Sequence, residues 1–196
     1  MKQEHYFSKK PVSWLKVKEI SETIRGFPVT LKLGSGTFSA KKIDPGSRLL
    51  AAAMQIKKND SILDLGCGTG IVGIIAAKLT KSDVLLTDIN KRACMLAKEN
   101  SKGISNISVV CGNMYEKAQG KFDVILLNPP QTAGKDVCFQ MIEEAKEHLN
   151  PNGSLQLVAR HTKGGKTLSR HMKEVFGNLD VLAKKGGYRV YISVNN

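Results

Sequence analysis

The sequence predicts an α/β chain whose sheet is mostly parallel, with helices on both faces. Three observations lead there. From about residue 60, short apolar runs alternate with amphipathic stretches, a pattern that implies parallel strands joined by right-handed crossovers. A glycine-rich turn, Asp64-Leu65-Gly66-Cys67-Gly68-Thr69-Gly70, links the first run to the first amphipathic stretch. The run Phe122-Asp123-Val124-Ile125-Leu126-Leu127 is stopped by Asn128-Pro129-Pro130, because proline cannot donate to a strand ladder and biases the preceding residue toward extended geometry.

The elements follow in order. Residues 1–43 read as an N-terminal elaboration. Val17 to Arg25 and Val29 to Leu33, separated by Gly26-Phe27-Pro28, predict a small β element. Asp44-Pro45 then caps a helix carrying Leu49, Leu50, Ala53 and Met54, since proline suits a helix's first turn. Ile62 to Leu65 is a strand, and Ile71, Ile74, Ile75 and Leu79 follow at helical spacing. Val84 to Thr87 is the next strand. Asn90 caps a helix bearing Ala93, Leu96 and Ala97, closed by Gly103. Ile107 to Val110 and residues 122–127 are strands. A helix with Cys138, Met141, Ile142, Ala145 and Leu149 on one face runs to the turn Asn150-Pro151-Asn152-Gly153. Leu155 to Val158 is a strand, Leu168, Met172 and Val175 mark a helix, and Tyr188 to Ile192 alternates as a closing strand. The whole chain, 1–196, is expected to be one domain, with 44–196 as its core.

The 196 residues suffice to bury a real core. With 41% hydrophobic and 24% charged residues the composition is globular, and no apolar segment approaches the ~18 residues of a membrane span. A soluble, cytoplasmic protein is expected. The four cysteines, Cys67, Cys94, Cys111 and Cys138, form no close pair in sequence, so buried free thiols are expected, with neither a zinc site nor a disulfide framework. Thirty Lys and Arg against 17 Asp and Glu give a net charge of +13, which points to a polyanionic partner, foremost nucleic acid.

Asn128 sits at a strand's carboxyl end, where open α/β sheets bind ligands. Its amide and the Pro129 carbonyl make a compact acceptor pair for an amino group. The glycines of the 64–70 loop permit positive φ and close approach of a ligand, and the helix start offers free N–H groups. The loop is not the dinucleotide fingerprint, because position 71, where a third glycine would fall, is Ile71. It fits a cofactor with a carboxylate and an ammonium: Asp64 attracts the ammonium and the helix start takes the carboxylate. Asp88, closing the second strand, is placed to accept both hydroxyls of a ribose. Asn113, after the third, is placed for an adenine edge.

With these residues the chain resembles the class I S-adenosylmethionine-dependent methyltransferases, in the branch that methylates planar nitrogens. Within it, the chain is most similar to the methyltransferase small-domain family, whose best-known members methylate the guanine exocyclic amine of small-subunit ribosomal RNA. His5-Tyr6-Phe7-Ser8, Gly36-Thr37-Phe38-Ser39 with Asp44 and Gly46, and Gly186-Gly187-Tyr188-Arg189-Val190 extend the likeness. The bacterial enzymes carry two such domains, whereas this chain has one, as archaeal relatives tend to.

The resemblance implies a Rossmann-like, seven-stranded sheet and S-adenosylmethionine as cofactor, with no metal. It implies cofactor contacts from Asp64, Gly66, Cys67, Gly68, Thr69, Gly70, Asp88, Ile89, Asn113, Met114 and Asn128, and catalysis by Asn128, Pro129 and Pro130. Where many relatives place an aromatic to stack on the target base, this chain has Gln131, so stacking falls to Phe38, Tyr6 or Phe7. Arg160, Lys163, Lys166 and Arg170, with Lys173 and His161 nearby, are candidates to track phosphates. Lys9, Lys10, Lys41 and Lys42 form a second basic group. The partner expected is ribosomal RNA or the small subunit, for a monomer or a homodimer. Adenine N6 methylation, protein glutamine methylation and a cofactor-binding RNA-assembly factor with little catalysis are the alternatives.

Overall fold

The computed structural model describes residues 16–38, 42–130 and 134–196. His5, Tyr6, Phe7, Ser8, Lys9, Lys10, Ser39, Lys41 and Gln131, named above, lie outside them.

The chain opens with an antiparallel hairpin, β1 (Val17–Ile24) and β2 (Phe27–Gly34). Its turn is tighter than the sequence led us to expect. Arg25 and Gly26 alone form it, both at positive φ, as a two-residue hairpin turn with matching twist requires. Pro28 is already in β2, opposite Thr23 and beside the closing pair Ile24–Phe27, where its missing N–H costs no ladder bond.

Helix α1 (Pro45–Ala53) starts at Asp44, whose carboxylate accepts the Ser47 N–H. The alternating units then follow as expected: β3 (Ile62–Leu65), α2 (Ile71–Ala77), β4 (Val84–Asp88), α3 (Lys91–Asn100), β5 (Ile107–Cys111), β6 (Phe122–Leu127) and α4 (Lys135–Glu147). After α4 come β7 (Leu149–Arg160), an irregular turn (His161–Gly165), α5 (Lys166–Phe176), β8 (Asp180–Lys185) and β9 (Tyr188–Val194). The sheet order is β5-β4-β3-β6-β7-β9-β8. Strands β3 to β7 pair in parallel and β9 runs against β7 and β8.

Side-chain alternation divides the core into two layers. Ile62, Val84, Leu86, Val124, Leu126, Val158 and Val190 face the layer of α1, α2 and the hairpin. Leu63, Leu65, Ile125, Leu127, Leu155, Leu157 and Tyr191 face α4 and α5. Each such aliphatic side chain, removed from water, contributes ~1.5–3 kcal/mol.

Three expectations are corrected. Leu149 does not end α4; it opens β7 opposite Phe122, and Asn150–Gly153 is an irregularity inside that strand, with Asn152 at positive φ. Strand β8 was not anticipated. The cysteines are not all free: Cys94 and Cys111 form a disulfide, their Cα atoms 5.9 Å apart, leaving Cys67 and Cys138 as thiols. Seventeen residues of separation hid the pair, because the crossover through α3 lays β5 beside β4 and brings the α3 start over the β5 end.

Candidate active site

Strand order reverses across β3, with β4 on one side and β6 on the other, and ligands of open α/β sheets bind at such a switch point. A cavity of about 270 Å³ lies there. Its wall is made by strand ends: Leu65 and Gly66 at β3, Thr87, Asp88 and Ile89 at β4, Gly112, Asn113 and Met114 at β5, Asn128 and Pro130 at β6. Val137 and Met141 of α4 close it on the other face. A smaller recess adjoins it, bounded by Asp44, Ser47 and the glycine loop from Gly66 to Thr69; Phe38, Gly66 and Asn128 line both.

The glycine loop is held from both ends. The Gly66 and Cys67 N–H groups donate to the Thr87 carbonyl, and the Gly68 N–H donates to Asp88 Oδ2 at 2.8 Å. Gly66 and Gly68 have positive φ, and a Cβ added to either would meet nothing within 4 Å, so their backbone faces open space. Gly70 differs: at positive φ it caps α2, and a Cβ there would lie 3.2 Å from Leu86 and 3.3 Å from Ala97. It is a packing glycine that lines neither cavity. Cys67 and Thr69 are buried in the recess; burial pushes the Cys67 thiol well up, and the Asp88 and Asp64 charges add to that.

Asp64 is not where the sequence reading put it. It shares strand parity with Ile62, faces α2 and accepts the Gly73 N–H at 2.8 Å, 3% exposed and lining neither cavity. Burial raises its pKa to about 7, opposed by the Gly73 N–H and helped by the Asp88 charge. Its geometry is that of a pillar between β3 and α2.

Asp88 does reach the cavity. Burial pushes its pKa up, against the N–H groups of Asn90, Gly68 and Ile89, which favour the ionised form. Ile89, Asn113 and Met114 line the same wall, and Met114 has φ of 47°. Asn90 caps α3 with its oxygen while its amide donates to the Gly36 carbonyl at 2.8 Å. That bond ties the segment after β2 to the site and brings Phe38 to both cavities.

At the β6 end, Asn128 Nδ2 donates to Asp44 Oδ2 at 3.0 Å and to Ser47 Oγ at 2.8 Å. Pro129 is buried and Pro130 half-buried.

The residues expected to bind phosphates line neither cavity. Arg160 ends β7, so it lies at the same end of the sheet as Asn128, and its guanidinium sits 5.8 Å above the Tyr188 ring. Lys163 is in the irregular turn, Lys166 opens α5, and Arg170, 4.0 Å from Glu174, is one turn further along. Positive charge gathers there: after burial, the charges of Arg189, Lys166 and Lys184 hold the His161 imidazole below its ordinary pKa.

Sequence reasoning missed Thr87, Ser47, Val137 and Met141 as site residues. Only Thr87 carried a signal, since strand alternation places it opposite Leu86 and next to Asp88. Its hydroxyl is buried and, among the described residues, has no hydrogen-bond partner. With the open glycine backbone, the Asp88 carboxylate and this orphan hydroxyl, the cavity suits a polar, nucleoside-bearing cofactor.

This fold and site define a Rossmann-like methyltransferase that uses S-adenosylmethionine. The chain belongs to the methyltransferase small domain family, whose family model matches residues 28–192. It is 33% identical to the uncharacterized protein YbxB of Bacillus subtilis, over 95% of this chain and 96% of that protein. It is 35% identical to ribosomal RNA small subunit methyltransferase C of Haemophilus influenzae, over 82% of this chain but 49% of that protein. The chain thus spans about half the length of its methyltransferase C relatives. Among solved structures, the T. thermophilus 16S rRNA N2 G1207 methyltransferase, in complex with AdoMet and guanosine, superposes with a TM-score of 0.79 over 95% of this chain and 52% of that one, at 24% identity. The fold is shared with that enzyme.

Proposed function

We propose that the chain methylates the exocyclic amine of a guanine in small-subunit ribosomal RNA. One observation carries this reading: Asn128 stands at the cavity wall with its amide nitrogen tied back to Asp44 and Ser47, which leaves the side-chain oxygen for a substrate. Charge and kinship support the choice of substrate. The net charge of +13 suits a polyanion, and the methyltransferase C relatives, matched over about half their length, are named as ribosomal RNA methyltransferases.

S-adenosylmethionine, when bound, would supply a sulfonium methyl whose C–S bond breaks as the C–N bond forms, leaving a neutral thioether, while the methylated nitrogen gives up one proton to water. The protein's part is placement. Asp88 accepts the ribose hydroxyls, the backbone of Gly66 and Gly68 admits the cofactor closely, and Ile89, Asn113 and Met114 shape the adenine side. An exocyclic amine is a poor nucleophile, because its lone pair is delocalised into the ring. Asn128 Oδ1 and the Pro129 carbonyl each accept one amine hydrogen, which draws density onto nitrogen and aims the lone pair. Both bonds strengthen as positive charge develops on that nitrogen, so the stabilisation belongs to the transition state. Proximity supplies the rest: reacting atoms held within about 3–3.5 Å remove much of the entropic barrier. Pro130 stiffens the turn. Phe38, which lines both cavities, stacks on the base in place of the aromatic that many relatives carry where this chain has Gln131. Arg160, Lys163, Lys166 and Arg170 flank the site as phosphate contacts.

Labelled methyl transfer onto unmodified ribosomal RNA and small subunits, with nucleoside analysis, tests the reading. A guanine methylated on its exocyclic nitrogen is the expected product, and a methylated adenine or protein side chain would displace it. Asn128→Ala is expected to bind cofactor and lose turnover; near-normal turnover would overturn the mechanism.

A further inference from the structure

The amide of Asn128 has a fixed orientation, and the cause lies in α1. Asp44 Oδ2 accepts two hydrogen bonds: from the Ser47 N–H at 2.8 Å, which caps the helix, and from Asn128 Nδ2 at 3.0 Å. Ser47 Oγ takes the second hydrogen of the same nitrogen at 2.8 Å. A carboxylate can only accept, so a flip of the Asn128 side chain would set oxygen against oxygen. Both amide hydrogens are thereby spent on α1, and no donor among the described residues reaches Asn128 Oδ1. The carboxylate is itself confined. A Cβ at Gly46 would lie 2.8 Å from Asp44 Oδ2 and 3.1 Å from the Tyr188 ring, so glycine at 46 lets both pack against the helix start.

We propose that Asp44 and Ser47 are positioning residues that lock the Asn128 carboxamide oxygen-outward, so that Asn128 presents only an acceptor to the substrate. The proposal rests on the reading of Asn128 above and deepens it. Such an acceptor takes a nitrogen that brings hydrogens, such as an exocyclic amine or a primary amide. It turns away bare ring nitrogens, whose lone pair would meet the Asn128 oxygen head-on. Sequence and fold connect here: the cap that starts α1 and the turn that ends β6 share one oxygen atom across 84 residues.

Three variants at position 44 or 128 separate the roles. Asp44→Ser keeps a good helix cap but its shorter side chain does not reach Asn128. Asp44→Asn can place its oxygen where Oδ2 stands and keep both bonds. Asn128→Ala removes the aimed group. Turnover on unmodified small-subunit ribosomal RNA is measured at saturating S-adenosylmethionine, with cofactor affinity by calorimetry and thermal unfolding of each protein. The expected result is a kcat lower by about 10- to 100-fold in Asp44→Ser, the scale of a misplaced reacting group, with the KM for RNA, the melting temperature and the cofactor Kd unchanged. Asp44→Asn recovers most of that loss. If Asn128→Ala is inactive while Asp44→Ser turns over like the parent, the positioning role is refuted and the Asn128 assignment stands. If Asp44→Ser loses cofactor binding in step with turnover, Asp44 is a cofactor ligand and the proposal is likewise refuted. If Asn128→Ala itself remains active, the underlying reading has failed.

Discussion

Replacing Asp64 with Asn should change how stability depends on pH more than it changes stability itself. The Asp64 carboxyl has a folded-state pKa of about 7, raised from 3.8 chiefly by burial. The folded chain therefore holds this proton more tightly than the unfolded chain does. Its stabilising effect is complete below the unfolded value of 3.8 and is lost as pH rises toward 7. Well below pH 7 each pH unit costs about 1.4 kcal/mol, so the step from about pH 5 to pH 7 removes roughly 2 kcal/mol, a large share of a typical ~5–15 kcal/mol. Asp64→Asn carries no proton to lose, and its oxygen can still accept the Gly73 N–H. Urea unfolding of both proteins at pH 5, 6, 7 and 8 reads the difference. The variant should gain on the parent by about 3 kcal/mol between pH 5 and 8, with the gap flattening above pH 7. A gap that stays constant across the series would refute the assignment of a buried, proton-holding Asp64.

Thr87→Val should raise the stability of the cofactor-free protein by about 1–2 kcal/mol, because it removes a buried hydroxyl without a partner, while weakening S-adenosylmethionine binding severalfold; calorimetry and unfolding decide, and unchanged cofactor affinity would count against Thr87 as a ligand. Gly73→Ala, usually helpful in a helix by about 1 kcal/mol, should instead destabilise by about 1–3 kcal/mol, since its Cβ would sit 2.6 Å from Leu86; a raised melting temperature contradicts this. Thiol titration of the unfolded, unreduced chain should return two groups, Cys67 and Cys138, and four after reduction. Removing the charges of Arg160 and Lys166 together should flatten the dependence of log K for RNA on log salt by about 1.5–2; an unaltered slope means neither touches phosphate.

The sequence made local chemistry legible and long-range contact illegible. Strand and helix periodicity found β3, β4, β5, β6 and α2 to α5 within a few residues, because each buries a face whose spacing the backbone dictates. Strand β8 escaped. Its residues Asp180 to Lys185 are mostly exposed at the sheet edge, so burial imposes no alternation on them. The glycine loop and Asn128 were visible through residues that only special backbone geometry explains. Asp44 was visible as a helix cap and as a point of family likeness, but its bond to Asn128 was not, since nothing in its neighbourhood encodes a bond to a residue 84 positions later. Asp64 was visible as the acid of the loop motif, but its side chain's place was not: strand parity aims it at α2, where it accepts the Gly73 N–H.

The place of β9 in the sheet has a consequence for how the chain is made. Strand β9 lies between β7 and β8, and Val190, Tyr191 and Ser193 are wholly buried. Asn178 brackets Val194 with two 2.8 Å bonds, and Asn195 bonds back to Asn152 and Gly153. During synthesis β7 is complete at Arg160 and its partner only at Val194. At ~5–20 residues per second, the β7 edge waits roughly 2–7 s for its neighbour. In that interval the nascent chain displays one unpaired edge of the strand bearing Leu155, Leu157 and Val158, a ready template for wrong partners. A ribosome that stalls between Arg160 and Val194 would therefore hold a chain whose cofactor-side strands are all made and whose sheet still lies open.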